Sequence, residues 1–438
     1  MKVYLGIGSN IANPVVQLKR ALHQINQWPK TRVMRVSSFY ETTAVGPPQS
    51  PIWNGVVALE TALSAKDVAQ YIHILENLHG RTRTQHHGPR TLDIDLLLYG
   101  NDTINTLTLT IPHPRMTERD FVLAPLLEVY QGNKMSFEAA LKTATHTLIR
   151  TLPLKQETLF MNTQLSDLWK QKKQGEKITA LTAYDATFAT LISSAGVDVI
   201  LVGDTLGQVV QGKTSTVPVT LDDMVYHTAC VARGNQGAFL IADLPFMTYH
   251  TPEQACASAA RLMQAGAQMV KIEGGQVLVS IVEALTAWDI PVCVHLGLRP
   301  QSVHMQGGYK VQGKDEQSAQ QLWEDTQLLE KAGAKLCVLE CLPEALATQI
   351  TASVQMPVIG IGAGRGVDGQ ILVTFDMLGM IGKTPKFVKN FLEGSGGSIP
   401  VAITTYVEAV KQQQFPAKEH CYIYTPSLTL PREVVEGM

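Results

Sequence analysis

Two folds in series are predicted by the 438-residue sequence: an α+β domain over about residues 1–158 and a (β/α)₈ barrel over 161–438. The chain is too long for one ordinary core. After residue 160, eight near-continuous apolar runs alternate with helical patterns. Parallel strands buried on both faces read this way, and eight of them close a barrel of about 250 residues. Before residue 160, strand-like and helical runs mix without that alternation, as α+β domains do.

In the first part, apolar β-type runs occupy 3–7, 32–40, 53–61 and 92–99, with helical patterns at about 14–27, 65–79 and 120–130. In the second, strands are expected at 178–184, 197–204, 239–246, 269–275, 291–298, 335–342, 357–364 and 375–380. The stretch LPLKQETLFMNTQ joins them. It is short and free of glycine, and MNTQLSDLWKQKKQGEKI after it reads as the start of an independent protein. A fusion of two enzymes is the expected organisation.

Composition narrows the partners. With 36 Lys and Arg against 38 Asp and Glu, the chain lacks the basic excess that nucleic acid or an anionic membrane would select. Residues 1–160 carry 16 basic against 12 acidic side chains and the remainder 20 against 26. The first part thus suits an anionic small molecule, and the second has carboxylates to spare for a metal. No apolar run approaches the roughly 20 residues that span a bilayer, and MKVYLGIGSN lacks the pattern of a signal peptide. A cytoplasmic protein is expected. All six cysteines fall in the second part, four in or beside apolar runs, and are expected as small buried hydrophobes rather than metal ligands.

In a parallel barrel the C-terminal strand ends ring one mouth, where catalytic groups collect. Here those ends carry Asp204, Asp243, Lys271 with Glu273, His295 and Glu340. Five consecutive apolar strands that each deliver an ionisable group are hard to explain by packing, since each such group costs several kcal/mol to bury unpaired. Structural ion pairs around Lys271 are the blander reading. Three carboxylates suit a hard, oxygen-seeking cation such as Mg²⁺, which polarises a 2-oxo acid and acidifies the neighbouring carbon. A general base must then accept the proton.

The segments ITALTAYD, LVGDTLG, ADLPFM, MVKIEGG, HLGLRPQS, GGYKVQG, VLEC, PVIGIGAG, DGQILV and PKFVKNF, in this order over about 161–420, closely resemble the ketopantoate hydroxymethyltransferases. That resemblance implies a TIM barrel with Mg²⁺ on Asp204, Asp243 and Glu273. It implies substrate held by Asp204, Thr205, Asp243 and Lys271, with Glu340 as proton acceptor. It also implies 3-methyl-2-oxobutanoate as acceptor, 5,10-methylenetetrahydrofolate as one-carbon donor, 2-dehydropantoate as product, and a homo-oligomer formed through the barrel. Thr205 stands where relatives usually have Ser, and Val294 and Arg299 where Gly and Thr are common.

In the first part, GPRTLDIDLLLYG sets Asp93 and Asp95 on one strand face, with Leu92, Ile94, Leu96 and Leu98 on the other. Carboxylates two apart can grip Mg²⁺ on a polyphosphate, and Arg81, Arg83 and Arg90 upstream suit phosphate. Spacing alone more often marks a solvated face. Together with YLGIGSN, RVSSFYET, GRTR, IPHPRM and RDFVLAPL, however, the segment resembles the 6-hydroxymethyl-7,8-dihydropterin pyrophosphokinases over about 1–158. That resemblance implies a ferredoxin-like fold and pyrophosphate transfer from ATP to the pterin. Mg²⁺ would sit on Asp93 and Asp95, ATP against Arg81, Arg90, His113 and Arg119, and the pterin near Thr42, Asn54 and Phe121. His86 and His87 replace a common Arg-Trp in a loop one residue shorter. Two alternatives stay open on the sequence. The altered loop allows an inactive assembly module in front of an active barrel. A Mg²⁺-dependent 2-oxo acid lyase of the phosphoenolpyruvate mutase kind also places carboxylates at a barrel mouth, although GGYKVQG and VLEC argue against it.

Overall fold

The computed structural model of the chain describes residues 1–11, 14–44, 49–79, 88–106, 108–145, 147–152, 162–382 and 384–423. The chain divides into two compact units, Met1–Met161 and Asn162–Met438.

The first unit is built on strands β1 (Lys2–Ser9), β2 (Thr31–Val36), β3 (Phe39–Thr42), β4 (Ile52–Thr61) and β5 (Asp93–Tyr99). A small hairpin of β6 (Ile104–Asn105) and β7 (Thr110–Ile111) follows, then β8 (Leu148–Leu152). The main sheet runs β5-β1-β4-β3-β8, with β2 also on β4, and its pairings are antiparallel. Helices α1 (Pro14–Asn26) and α2 (Ala65–Leu78) contribute Leu18, Leu22, Ile25, Val68, Ile72 and Leu75 to one core. A second core forms around Val122, Leu126 and Val129 of α3 (Asp120–Val129) with Tyr4, Val56 and Leu97. Helix α2 starts cleanly because Ser64 and Asp67 close a reciprocal capping box.

Three features depart from the sequence pattern. The run at 32–40 is two strands, because the Ser37 hydroxyl takes the Val56 N–H at 2.9 Å and the Ser38 N–H turns to Glu128. Leu98 packs with Tyr4 and Leu97 instead of with Leu92, Ile94 and Leu96. A bulge in the β1–β5 register between Tyr4 and Leu5 shifts the alternation by one residue. Helix α4 (Met135–Thr143) packs only the half-buried Phe137 on the second core and strand β8 is exposed throughout, so neither leaves an apolar period to read.

The second unit is a closed parallel barrel of β9 (Ile178–Thr182), β10 (Val199–Val202), β11 (Phe239–Asp243), β12 (Met269–Glu273), β13 (Val292–Gly297), β14 (Leu336–Glu340), β15 (Val358–Ile361) and β16 (Gly369–Leu372), the last returning to β9. The eighth strand is thus GQIL, and the run expected at 375–380 is instead mostly the short helix Thr374–Met377, ended by Gly379 at φ +65°. Gly369 lets β16 close the ring. A Cβ there would stand 2.5 Å from the Ile178 carbonyl oxygen. Among the described residues no helix is long and apolar enough to cross a membrane.

Alternation along each strand separates two cores. Ile178, Ala180, Val199, Leu201, Phe239, Ile241, Met269, Cys293, Leu336 and Val338 fill the barrel, joined by Leu168 of the helix Leu165–Gln174 that precedes β9. Residues of opposite phase, such as Ile200, Leu240, Val270, Val294 and Leu339, pack outward on the helices. Asp243, Lys271, Glu273, His295 and Glu340 continue the inward phase of their strands. The polar groups therefore form the uppermost layer over an apolar floor. All six cysteines are free, four of them buried.

Candidate active site

At the barrel mouth Asp204, Asp243, Lys271, Glu273 and His295 are all at least nine-tenths buried. The Lys271 ammonium donates to Asp243 Oδ1 at 2.8 Å and to Glu273 Oε1 at 3.5 Å. Asp243 Oδ2 accepts the Asp204 N–H at 3.0 Å, which orients the loop after β10. His295 Nδ1 lies 3.1 Å from Glu273 Oε1, and its Nε2 lies 3.2 Å from Glu340 Oε2 without hydrogen-bond alignment. The Thr205 hydroxyl is 2.8 Å from that of Tyr184. Asp204, Thr205, Asp243, Lys271, Glu273, His295 and Glu340, all expected at the barrel site, therefore share one mouth.

The groups of this layer shift one another. Burial, then Asp243 and Glu273, push the Asp204 carboxyl well above its usual range, and Lys271 and Gln301 only partly offset this. Asp243 is also raised, because burial outweighs Lys271. Burial opposes the charge on Glu273 too, but Lys271 and His295 prevail and hold it at about 2. Burial would lower the Lys271 ammonium, yet Asp243, Glu273 and Asp204 raise it well above normal. Burial and Lys271 would lower the His295 imidazole, but Glu273 and Glu340 draw it upward, and yet Asp204 and Asp243 stay raised. The three carboxylates form an all-oxygen donor set of the kind that suits a hard divalent cation. As they stand, no three acidic, His or Cys side chains among the described residues converge tightly enough to chelate one, because Glu273 is turned to Lys271, His295 and the Gln301 N–H.

Glu340 is aimed by backbone. Cys341 after it takes φ +53°, and Gly297 on the neighbouring strand sits at φ +90°, where a Cβ would meet the Glu340 carbonyl oxygen at 2.3 Å. Sequence reasoning missed Gln301, Tyr249 and Tyr184, which are uncharged and lie between strands. Their signal was faint: LRPQS sits inside a family-like segment but has no charge to single it out.

In the first unit Asp93 and Asp95 stand on edge strand β5, opposite Gly8 and Gly6 of β1, and are partly exposed. Arg90 pairs with Asp93, and His113 Nε2 is 3.9 Å from Asp95 Oδ1. Burial and Asp93 raise the Asp95 carboxyl, against the pull of His113, Arg119 and Arg90. The Arg119 guanidinium lies 5.5 Å over the Phe121 ring. Asn54 donates to the Thr42 hydroxyl at 2.8 Å. Arg81, Arg83, His86 and His87 lie outside the described residues.

Buried carboxylates gathered on one ammonium at the C-terminal mouth of a parallel barrel mark the place where this fold carries catalytic groups. The chain belongs to the ketopantoate hydroxymethyltransferase family, whose model matches residues 162–418. The 3-methyl-2-oxobutanoate hydroxymethyltransferase of Nitrosococcus oceani is 57% identical over 260 residues, 59% of this chain and 98% of its own length. The enzyme of the same name from Idiomarina loihiensis is 58% identical over 261 residues, 59% of this chain and 98% of its own. Residues 4–131 match the model of 7,8-dihydro-6-hydroxymethylpterin-pyrophosphokinase. The chain is thus an enzyme, with a hydroxymethyltransferase barrel and a pterin pyrophosphokinase domain. A 2,3-dimethylmalate lyase structure of the PEP mutase/isocitrate lyase superfamily shares 19% identity over 50% of this chain and 81% of its own. Its TM-score of 0.39 is too low to bear on chemistry.

Proposed function

We propose that the chain is bifunctional. Its barrel transfers a hydroxymethyl unit from 5,10-methylenetetrahydrofolate to 3-methyl-2-oxobutanoate, giving 2-dehydropantoate. Its first unit transfers pyrophosphate from ATP to 6-hydroxymethyl-7,8-dihydropterin. The observation that carries the barrel reading is the gathering of Asp204, Asp243 and Glu273 around Lys271 at the barrel mouth. Mg²⁺ held by those three carboxylates would offset their charge and polarise the oxo acid. Lys271 and the Thr205 hydroxyl bind and orient the substrate's oxygens, together with Asp204 and Asp243. Glu340, at the open side of the cluster, takes the proton from the substrate carbon beside the ketone. That carbon forms the new bond to the methylene carbon and water supplies the hydroxyl, while both carbon–nitrogen bonds to folate break and the two nitrogens take the protons given up by the substrate carbon and the water.

In the first unit, Asp93 and Asp95 would hold Mg²⁺ on ATP, with Arg81, Arg83, Arg90, His113 and Arg119 on the nucleotide and Thr42, Asn54 and Phe121 at the pterin. Phosphoryl chemistry is mainly positioning and charge neutralisation, which these residue types supply. The strand order β5-β1-β4-β3, with α1 and α2 in one core, supports a ferredoxin-like fold.

The proton step has a direct test. In D₂O with Mg²⁺ and no folate, the chain should exchange the C3 hydrogen of 3-methyl-2-oxobutanoate, and Glu340→Ala should not. Exchange at the parent rate in that variant would remove Glu340 from the role. AMP release from ATP that depends strictly on the pterin tests the kinase half, and its absence would leave an assembly module.

A further inference from the structure

Gln301 sits in the one-turn helix Pro300–Ser302 after β13, is 5% exposed, and touches both ends of the acidic cluster. Its side-chain Nε2 donates to Asp204 Oδ2 at 2.8 Å and to the Leu244 carbonyl oxygen at 2.9 Å. Its backbone N–H donates to Glu273 Oε2 at 3.0 Å. Its Oε1 accepts the Tyr249 hydroxyl at 2.5 Å, and that hydroxyl accepts the Glu273 N–H at 3.3 Å. The amide's orientation is therefore settled by chemistry: the Leu244 carbonyl only accepts, so the NH₂ group must face it and Asp204.

We propose that Gln301, held by Tyr249, is the positioning residue that fixes the Asp204 carboxylate for a divalent cation. Without it, the buried Asp204 side chain would keep no donor on Oδ2 to set its orientation. A carboxylate free to turn moves an oxygen away from the cation. Partners of this kind change metal affinity by roughly 10- to 100-fold when lost. Gln301→Met keeps the length and the backbone contact to Glu273 while it deletes the donor to Asp204. Tyr249→Phe deletes only the hydroxyl that holds the amide.

The inference rests on the proposed cation site, and the test separates the two. Full-length chain carrying Asp95→Ala, free of ATP, is titrated with Mn²⁺, and free Mn²⁺ is read by electron paramagnetic resonance. That parent should bind Mn²⁺ at the barrel. Gln301→Met should bind it at least about 10-fold more weakly, and Tyr249→Phe should shift the same way by less. Unchanged secondary structure by circular dichroism separates this from misfolding. Absence of barrel Mn²⁺ binding in the parent overturns the cation site itself. Parent-like affinity in both single variants overturns the role of Gln301 alone.

Discussion

The barrel mouth and the edge of the first unit's sheet both present paired carboxylates, but they manage the charge in opposite ways. Asp204, Asp243 and Glu273 are buried and fixed by Lys271, His295 and Gln301 before any ligand arrives. Asp93 and Asp95 stand on an edge strand, partly exposed, with Arg90, His113 and Arg119 close by in charge. A small oxo acid can be enclosed at a barrel mouth, so the barrel can hold its charges preset in low dielectric. A polyphosphate brings several charges of its own and needs an open, cation-lined approach. Stability should accordingly depend on charge pairing at the first site and hardly at all at the second.

The largest expected effect is at Lys271. Lys271→Met leaves three buried carboxylates without their ammonium and should cost about 3–5 kcal/mol in the barrel's unfolding transition, as well as hydroxymethyl transfer. A loss below 1 kcal/mol by urea titration would break the contrast between the sites. Next is Gly297→Ala, where the added Cβ collides with the Glu340 carbonyl oxygen and φ +90° disfavours a side chain. It should cost about 1–3 kcal/mol and lower transfer by displacing Glu340, while parent-like turnover would show that Glu340 needs no such aim. Arg90→Ala in the open site should change stability by no more than about 1 kcal/mol but raise the KM for ATP.

The smallest effect is a pH dependence. Burial, with the Glu340 carboxylate nearby, raises the Asp376 carboxyl to about 6. An acid whose pKa is higher in the folded chain than the usual value of about 3.9 holds its proton better when folded. Its contribution favours folding at low pH and is lost as pH rises from about 4 to about 6. Asp376→Asn should therefore leave the barrel's Tm unchanged near pH 4 and raise it at pH 7.5. An equal shift at both pH values would place the cause elsewhere.

Legibility followed the same divide. The strand ends that carry Asp243, Glu273 and Glu340 could be read directly, because an ionisable group after an apolar run is costly and conspicuous. Gln301 and Tyr249 could not, since a neutral polar residue between elements looks like any loop residue until its partners arrive from distant strands. The eighth strand was misplaced because GQIL is four residues long, while FDMLGM offered a more apolar run. The phase of Leu98 escaped because a bulge needs a partner strand to define it. Leu92, Ile94 and Leu96, on the near side of that bulge, kept the face their alternation predicts.

Two independent sites on one chain form the central claim, and a crossed knockout tests it most directly. One preparation each of the parent, Asp95→Ala and Glu340→Ala is assayed for 2-dehydropantoate and for pterin-dependent AMP. The parent should make both, Asp95→Ala only 2-dehydropantoate, and Glu340→Ala only AMP. A parent that releases no AMP, or a Glu340→Ala chain that still makes 2-dehydropantoate at the parent rate, would contradict the account.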